Sequence, residues 1–346
     1  MKSKLLMCIV GLQVLVLAYV AGKREWVLHT RRTVYLRTVP LDPRDPVRGD
    51  YVRLSYPVSI VQQSFCHGRL VSSNGTLEIL PQDTPVYASL RVNEDGFGEL
   101  VSLSTERPAS GFFIRGRTES YLGSTVRVRY GLEAYFVEEG RGSEFEAGFD
   151  RGGIRVPLEM QVAVGAGGLA VLKDHRWCEL GMGLELETTN PPAGGQGARL
   201  PRVVAIKVLL LNAGTRELAI VDRPGGRSMA LVTDPRWGDN SFEWVHETNS
   251  LPAPRAGEVI VLKPGEVHTV RIRLDDPLWT VRNREAGPAG KAAQVKLADL
   301  EQDWGAWFRF EYRPPERPAC VHLPLADRIW HGRLRSQAFS PGSGVD

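Results

Sequence analysis

The sequence predicts a mainly β protein in which an N-terminal transmembrane helix is followed by two antiparallel β-sandwich or barrel-like domains. The first 24 residues contain an apolar run that is long for a secretion signal. The rest of the chain alternates apolar and polar residues in short segments, and turn residues separate these segments. A chain of 346 residues is long enough for about two domains.

Residues 1–24 are predicted to be a membrane anchor or a signal. Leu5–Gly22 is an apolar run of 18 residues, with Gln13 as its only strongly polar member. A membrane span needs about 17–25 apolar residues, whereas the apolar part of a secretion signal has about 7–15. Length therefore favours an uncleaved single span, and a cleaved signal or a buried core helix is the alternative. Because the large remainder is rich in turns, we expect it to be exported.

Residues 25–177 are predicted to form the first β domain. Turn signals such as Asn74-Gly75 and Asp95-Gly96 separate its strand patterns. At Leu132–Val137 the pattern allows a short helix instead. The predicted strands are 33–38, 51–56, 86–92, 98–103, 112–117, 126–130 and 156–164.

Residues 178–339 are predicted to form a second β domain, and residues 340–346 a disordered tail. Ala289–Leu300 is predicted to be a short helix. The strand patterns 208–211 and 218–221 surround a tight turn, and this arrangement resembles hairpins of immunoglobulin-like exported domains. Further predicted strands cover 229–232, 259–262, 269–274 and 307–312.

Three segments in the first half form an ordered set of motifs. Residues 49–56 read GDYVRLSY, residues 114–117 read IRGR, and residues 128–142 read VRYGLEAYFVEEGRG. Together they resemble the GDYXXLXY family of bacterial membrane-associated proteins over about residues 25–175. The resemblance implies a location at the bacterial inner membrane, one N-terminal span and association with a multi-pass membrane protein. It implies no reaction.

The first motif admits three interpretations. Strand alternation puts Tyr51, Arg53 and Ser55 on one face and Val52, Leu54 and Tyr56 on the other. The prolines and the glycine before the strand fit a rigid strand entry. A partner-binding surface is the functional interpretation, whereas a metal site of three aspartates would have too few converging oxygens. The candidate partner-binding residues are Asp42, Arg44, Asp45, Arg48, Gly49, Asp50, Tyr51, Arg53 and Tyr56.

Two His/Cys pairs form a separate candidate site. His175-x-x-Cys178 and Cys320-x-His322 supply two nitrogens and two sulfurs, which suits tetrahedral zinc if the pairs converge. A Cys178–Cys320 disulfide and unrelated buried thiols are the alternatives. We expect this protein to bind neither a metal nor a cofactor.

The charge balance and the missing motifs limit the function. The formal net charge is +3 and the sequence shows no basic stripe, so no nucleic-acid partner is expected. The sequence has no G-x-S-x-G, P-loop or H-E-x-x-H motif. The favoured function is a non-catalytic partner-binding or structural component of a membrane complex, with its bulk extracytoplasmic. The alternative is an envelope hydrolase or metal-dependent enzyme with acidic residues near Asp50 or Glu138–Glu146.

Overall fold

The chain divides into two compact units. Unit 1 comprises Met1–Gly142 and Leu158–Arg176, and unit 2 comprises Ser143–Pro157 and Trp177–Asp346. Ser143–Pro157, which lies inside the predicted first domain, groups with unit 2. The computed structural model describes residues 2–29, 32–40, 51–138, 145, 148–189, 203–234, 242–246, 252–283, 294–300, 306–341 and 344–345.

An apolar helix, α1 (Lys2–Leu28), begins unit 1. Its segment Leu5–Leu28 has a mean hydropathy of 2.4 and is the one helix among the described residues that is long and apolar enough to cross a membrane. The expected association with a multi-pass membrane protein is corrected here, because the one candidate helix among the described residues points to a single-pass rather than a multi-pass membrane protein. The helix is compatible with an anchor and also with a signal sequence.

The described residues of unit 1 form three sheets. Their strand orders are β1-β12-β13, β10-β3-β2 and β4-β9-β8-β6-β7-β5, and β5 and β7 are the parallel pair. The strands are β1 (Thr33–Arg37), β2 (Val39–Pro40), β3 (Tyr51–Ser55), β4 (Ile60–Gln62), β5 (Cys66–His67), β6 (Pro85–Val92), β7 (Gly98–Ser104), β8 (Phe112–Leu122), β9 (Thr125–Arg129), β10 (Ala134–Phe136), β12 (Leu158–Val164) and β13 (Ala170–Trp177), with β11 (Ile154–Arg155) in unit 2. Single 3-10 turns cover Pro57–Ser59, Gln63–Phe65 and Gly68–Leu70.

In the described part of unit 2 the strands form four sheets, with strand orders β11-β14-β15-β20, β16-β19, β17-β23-β25-β26 and β18-β21-β22; β24 also pairs with β23. The strands are β14 (Leu180–Thr188), β15 (Val203–Asn212), β16 (Leu218–Val221), β17 (Met229–Thr233), β18 (Phe242–Trp244), β19 (Val259–Leu262), β20 (Val267–Arg273), β21 (Thr280–Asn283), β22 (Gln294–Lys296), β23 (Phe308–Tyr312), β24 (Leu334–Arg335), β25 (Phe339–Ser340) and β26 (Gly344–Val345). A short helix, α2, covers Arg317–Cys320, and 3-10 turns cover Pro224–Gly226, Ala256–Glu258, Pro277–Trp279, Leu297–Asp299 and Ala326–Arg328.

Aromatic side chains fill the core of unit 2. Trp279 is fully buried, stacks on Trp244 at a centroid distance of 5.7 Å and meets the edge of Phe310 at 5.1 Å. The adjacent Glu311 is also buried and pairs with Arg313 and Arg335. Two arginines thus compensate a carboxylate that would otherwise be unpaired inside the core.

The mainly β prediction is confirmed, and three local predictions are wrong. Leu132–Val137 contains strand β10 rather than a short helix. The described part of the predicted helix Ala289–Leu300, residues 294–300, contains strand β22 and a 3-10 turn. The predicted disordered tail contains Ser340 of β25 paired with Gly344 of β26. Backbone pairing between strands decides all three, and the propensity of each segment alone does not reveal it.

Candidate functional site

The first motif lies on a small sheet of unit 1 made of β2, β3 and β10, which we call the motif sheet. Strand β3 is central and antiparallel to both neighbours. Its backbone register sets Tyr51 opposite Phe136 and Arg53 opposite Ala134. The second half of the third motif therefore lies beside the first motif, although about 80 residues of chain separate them.

One face of β3 is buried. Val52, Leu54 and the following Tyr56 are at most 2% exposed. The backbone N–H of Leu54 donates to the Glu133 carbonyl oxygen at 2.8 Å, and the Tyr56 hydroxyl donates to the Leu132 carbonyl oxygen at 2.9 Å. Burial raises the pKa of Tyr56, and the charge of Glu133 adds to the effect, so the phenol is held protonated.

The turn before β10 is tied together by a carboxylate. Glu133 Oε1 accepts the backbone N–H of Tyr130 at 2.6 Å, and Oε2 accepts that of Gly131 at 2.8 Å. Gly131 has a φ of +79°, a conformation that favours glycine. The Tyr130 hydroxyl donates to the Val58 carbonyl oxygen at 2.8 Å, so this turn is bonded to the segment that follows the first motif.

The short IRGR motif supplies the space for Tyr130. Gly116 lies in β8, and a Cβ placed there would be 2.5 Å from Val128 Cγ1 and 2.8 Å from the Tyr130 ring. Such distances are shorter than van der Waals contact, so glycine is what allows the Tyr130 ring to approach the strand. The three motifs therefore meet in one buried framework.

The other face of the motif sheet is open to solvent. Arg53 and Ala134 are exposed, and the Phe136 side chain is 73% exposed. On the opposite face, where its register partner Val52 is buried, the Tyr135 hydroxyl lies 3.0 Å from His175 Nδ1, with the two rings 5.2 Å apart. A rigid, buried framework thus presents a large apolar ring beside a guanidinium on a surface, which is the combination found at protein interfaces.

One comparison with known proteins finds a match that covers all three motifs. Residues 13–174 match the family model described as GDYXXLXY protein. This part of the chain is therefore similar to proteins of the GDYXXLXY family. Searches of curated proteins and of solved structures find no match to the chain.

Only part of the predicted binding surface falls within the described part of the GDYXXLXY segment. Arg53 is exposed, as the prediction requires, and Tyr51 is placed by its backbone in β3. Tyr56 needs correction, because a residue that is 1% exposed cannot touch a partner. Asp42, Arg44, Asp45, Arg48, Gly49 and Asp50 lie outside the described residues.

Phe136 is the surface residue that sequence reasoning missed. It stood in the third GDYXXLXY motif, but the predicted short helix hid its position on a strand. The run of aromatic and β-branched residues Tyr135-Phe136-Val137 was the signal available for a strand.

The zinc and disulfide alternatives are not realised. Cys178 and Cys320 are buried in unit 2 and form no disulfide. They also pack in different apolar clusters, Cys178 with the main core and Cys320 with Ile329 and Leu323. His322 Nε2 instead contacts the Pro254 carbonyl oxygen at 3.1 Å. Among the described residues no three His, Cys, Asp or Glu side chains converge as metal ligands.

Most of the acidic residues that could serve an envelope hydrolase or metal-dependent enzyme lie outside the described part of the chain. Glu138 is exposed on the chain that follows β10. Asp50 and the glutamates Glu139, Glu144 and Glu146 lie outside the described residues.

Proposed function

We propose that this protein is a single-pass component of the bacterial inner membrane, with its bulk extracytoplasmic, that binds a protein partner through the exposed face of the motif sheet. The observation that carries the proposal is the 73% exposed ring of Phe136, set opposite Tyr51 of the family motif. Burying the exposed part of this ring against a partner surface would remove apolar area from water, which favours binding.

The stiffness of the framework supports binding at this face. On the buried side of the sheet, hydrogen bonds hold β3 and the turn into β10 in place. They are made by Tyr56, Tyr130 and Glu133. A surface that is already ordered loses little conformational entropy when a partner binds. We expect the partner to offer an apolar pocket for Phe136 and a carboxylate for Arg53, because this pairing suits an aromatic anchor beside an arginine.

The packing of α1 supports an anchor that stays attached. Val27, in the last turn of the helix, is 5% exposed, and a Cβ on Gly165 would lie 2.9 Å from its Cγ2. The helix end is thus part of the core of unit 1. Cleavage after Gly22 would leave only a short helical stub to carry that contact, which favours retention of the whole helix.

Co-purification of partners from membranes tests the proposal. The full chain and a Phe136→Ala, Arg53→Ala variant are cross-linked in cells, solubilised in detergent and captured, and the captured proteins are compared. We expect one protein recovered with the wild type to be reduced at least about tenfold with the variant, because loss of an anchor residue typically costs more than about 1.4 kcal/mol.

A matched control is Ile79→Ala, since Ile79 is 78% exposed on unit 1 and lies outside the motif sheet. Circular dichroism and size exclusion must show that all variants fold. Equal recovery with the wild type, the control and the double variant would contradict the proposed binding face. Binding must then be reproduced with the two purified proteins.

A further inference from the structure

The last turn of α1 packs against unit 1 next to loops that carry arginines, which we call the loop ring. Val27 packs on Gly165, and the turn at Gly165–Gly168 is closed by backbone bonds between Gly168 and Gly165 and between Gly165 and Leu169. The strand after the helix is joined to the same place, because the backbone N–H of Val164 donates to the Arg32 carbonyl oxygen at 2.8 Å.

Two exposed arginines are held in fixed positions on this ring. Arg32 Nη2 donates to the Gly111 carbonyl oxygen at 2.9 Å, and its guanidinium lies 5.4 Å from the centroid of the Phe112 ring. Arg107 Nη2 donates to the Ala166 carbonyl oxygen at 3.0 Å, and its guanidinium lies 5.8 Å from Phe113. A guanidinium has five N–H donors, so one carbonyl contact leaves donors that can reach a phosphate.

The helix itself extends the positive charge. Lys23 and Arg24 follow the apolar run, and Trp26 is 79% exposed one turn further on. Basic and tryptophan side chains in this order are typical of the interface between lipid and water. Two acidic residues adjoin these basic ones in the sequence: Glu25, whose carboxylate lies 3.6 Å from His29 Nδ1, and the exposed Glu106. We call Lys23, Arg24, Arg32 and Arg107 the basic collar; it outnumbers those two carboxylates.

The length of the helix sets the depth of the collar. Val27 lies five residues beyond Gly22, which is about 7.5 Å along an α-helix. The polar region on each side of a bilayer is about 5–7.5 Å thick. If Leu5–Gly22 spans the hydrocarbon, the turn that Val27 contacts lies at the outer edge of the lipid headgroups.

We propose that the basic collar docks unit 1 on the anionic phospholipid headgroups of the membrane that α1 spans. This inference rests on the proposed anchor, and it adds that unit 1 is held against the bilayer rather than tethered above it. A fixed depth would present the motif sheet at a constant height to a partner in the same membrane. Each arginine near an anionic surface favours docking about fivefold, so Arg32 and Arg107 together contribute about 30-fold.

Quenching by a lipid-bound nitroxide tests the docking. The full chain, with Cys8→Ala to remove the exposed thiol, is placed in nanodiscs of phosphatidylcholine alone or with about 30% phosphatidylglycerol, in both cases with headgroup-labelled nitroxide lipid. A fluorophore is attached at Ala166→Cys in the collar or at Leu122→Cys as a distant site. Leu122 lies ten residues from Phe112 along β8, which is about 33 Å.

We expect the label at 166, but not that at 122, to be quenched in the anionic nanodiscs, and quenching to fall in 0.5 M salt or in the Arg32→Gln, Arg107→Gln variant. The matched control is Arg127→Gln, an exposed arginine on β9 opposite Ser120 of the same long strand. Equal quenching at 166 in neutral and anionic lipid, unchanged by the arginine substitutions, would overturn docking and leave only a tether. No quenching at 166 would also overturn it.

Failure of the anchor itself is recognised separately. Alkaline extraction of membranes from cells that express the unlabelled chain releases a cleaved or peripheral protein and retains a spanning one. Release would contradict the proposed function, whereas retention without anionic-lipid-dependent quenching would contradict the docking alone.

Discussion

The hydroxyl of Tyr56 donates a 2.9 Å hydrogen bond to the carbonyl oxygen of Leu132 in the interior of unit 1. Tyr56 ends the first family motif and Leu132 lies in the third, 76 residues later. The most recognisable tyrosine of the motif therefore joins two parts of the fold. The exposed face of the motif sheet is formed instead by Arg53 of β3 and by the paired strand β10.

Tyr56→Phe removes this bond and leaves the buried Leu132 carbonyl oxygen unsatisfied. We expect a loss of about 1–3 kcal/mol in the opening free energy of β3 and β10, because the acceptor keeps its desolvation cost. Hydrogen exchange of the amides in residues 51–56 and 132–136 measures it. Tyr121→Phe is the control, since the Tyr121 hydroxyl is only half-buried and accepts a longer 3.2 Å bond from Leu80. An equal loss in both variants would contradict a special role for Tyr56.

Alkaline pH should loosen unit 1. Burial first, and then the charge of Glu133, raises the pKa of Tyr56 and of Tyr130 above the usual value of about 10. The unfolded chain loses these protons at a lower pH than the folded chain, so their contribution is complete below pH 10 and is lost as pH rises above it. Exchange-based stability of β3 should fall between pH 10 and 11. The stability of the Tyr56→Phe, Tyr130→Phe variant should fall less steeply with pH. If it fell as steeply as that of the wild type, ionisation of the two tyrosines would not be the cause.

Gly116→Ala should destabilise unit 1 by about 1–3 kcal/mol, since the added methyl overlaps Val128 and the Tyr130 ring. Gly167→Ala is the matched control, because a Cβ at Gly167 meets no atom within 4 Å. Thermal unfolding followed by proteolysis of unit 1 compares the two. If the Gly116 variant unfolded at the same temperature as the control, the close approach of Tyr130 to β8 would not be a constraint.

Unit 2 should lose stability at acidic pH through Glu311. Burial raises the pKa of this carboxyl, but Arg335 and Arg313 outweigh that effect and lower it to about 2. Because the unfolded value is about 4.3, the carboxylate contributes about 3 kcal/mol above pH 5, and this is lost as pH falls toward 2. Urea unfolding of Glu311→Gln should show weaker pH dependence between 5 and 2 than the wild type.

The control for that measurement is Glu185→Gln. Glu185 is 57% exposed and lies 3.5 Å from Lys207, and such surface pairs contribute little. If Glu185→Gln reduced the fall in unfolding free energy between pH 5 and 2 as much as Glu311→Gln does, the buried cluster would not be the source of the pH dependence.

Local alternation in the sequence was enough to predict which side of β3 is buried. Val52, Leu54 and Tyr56 were assigned to one face, and the structure buries all three. The register of Tyr51 with Phe136 could not be predicted, because pairing between strands so far apart depends on the whole sheet. For the same reason β10 was interpreted as a short helix and Phe136 was missed.

The spacing of the His/Cys pairs was misleading in a different way. Cys178 lies next to strand β14 and Cys320 ends helix α2, so neither position is determined by the short spacing to its histidine. Spacing can predict that two ligands are neighbours, but convergence of two pairs requires tertiary structure. The buried thiols are explained by apolar packing.

Site-specific photo-cross-linking tests the central claim most directly. A photoreactive amino acid replaces Phe136 in one strain and Ile79 in another, and both full chains are irradiated in intact cells. We predict that position 136 forms a discrete covalent adduct with one membrane-associated protein, and that position 79 does not. The same adducts at both positions, or none at 136 with the chain correctly folded in the membrane, would contradict the assignment of the motif sheet as a partner-binding surface.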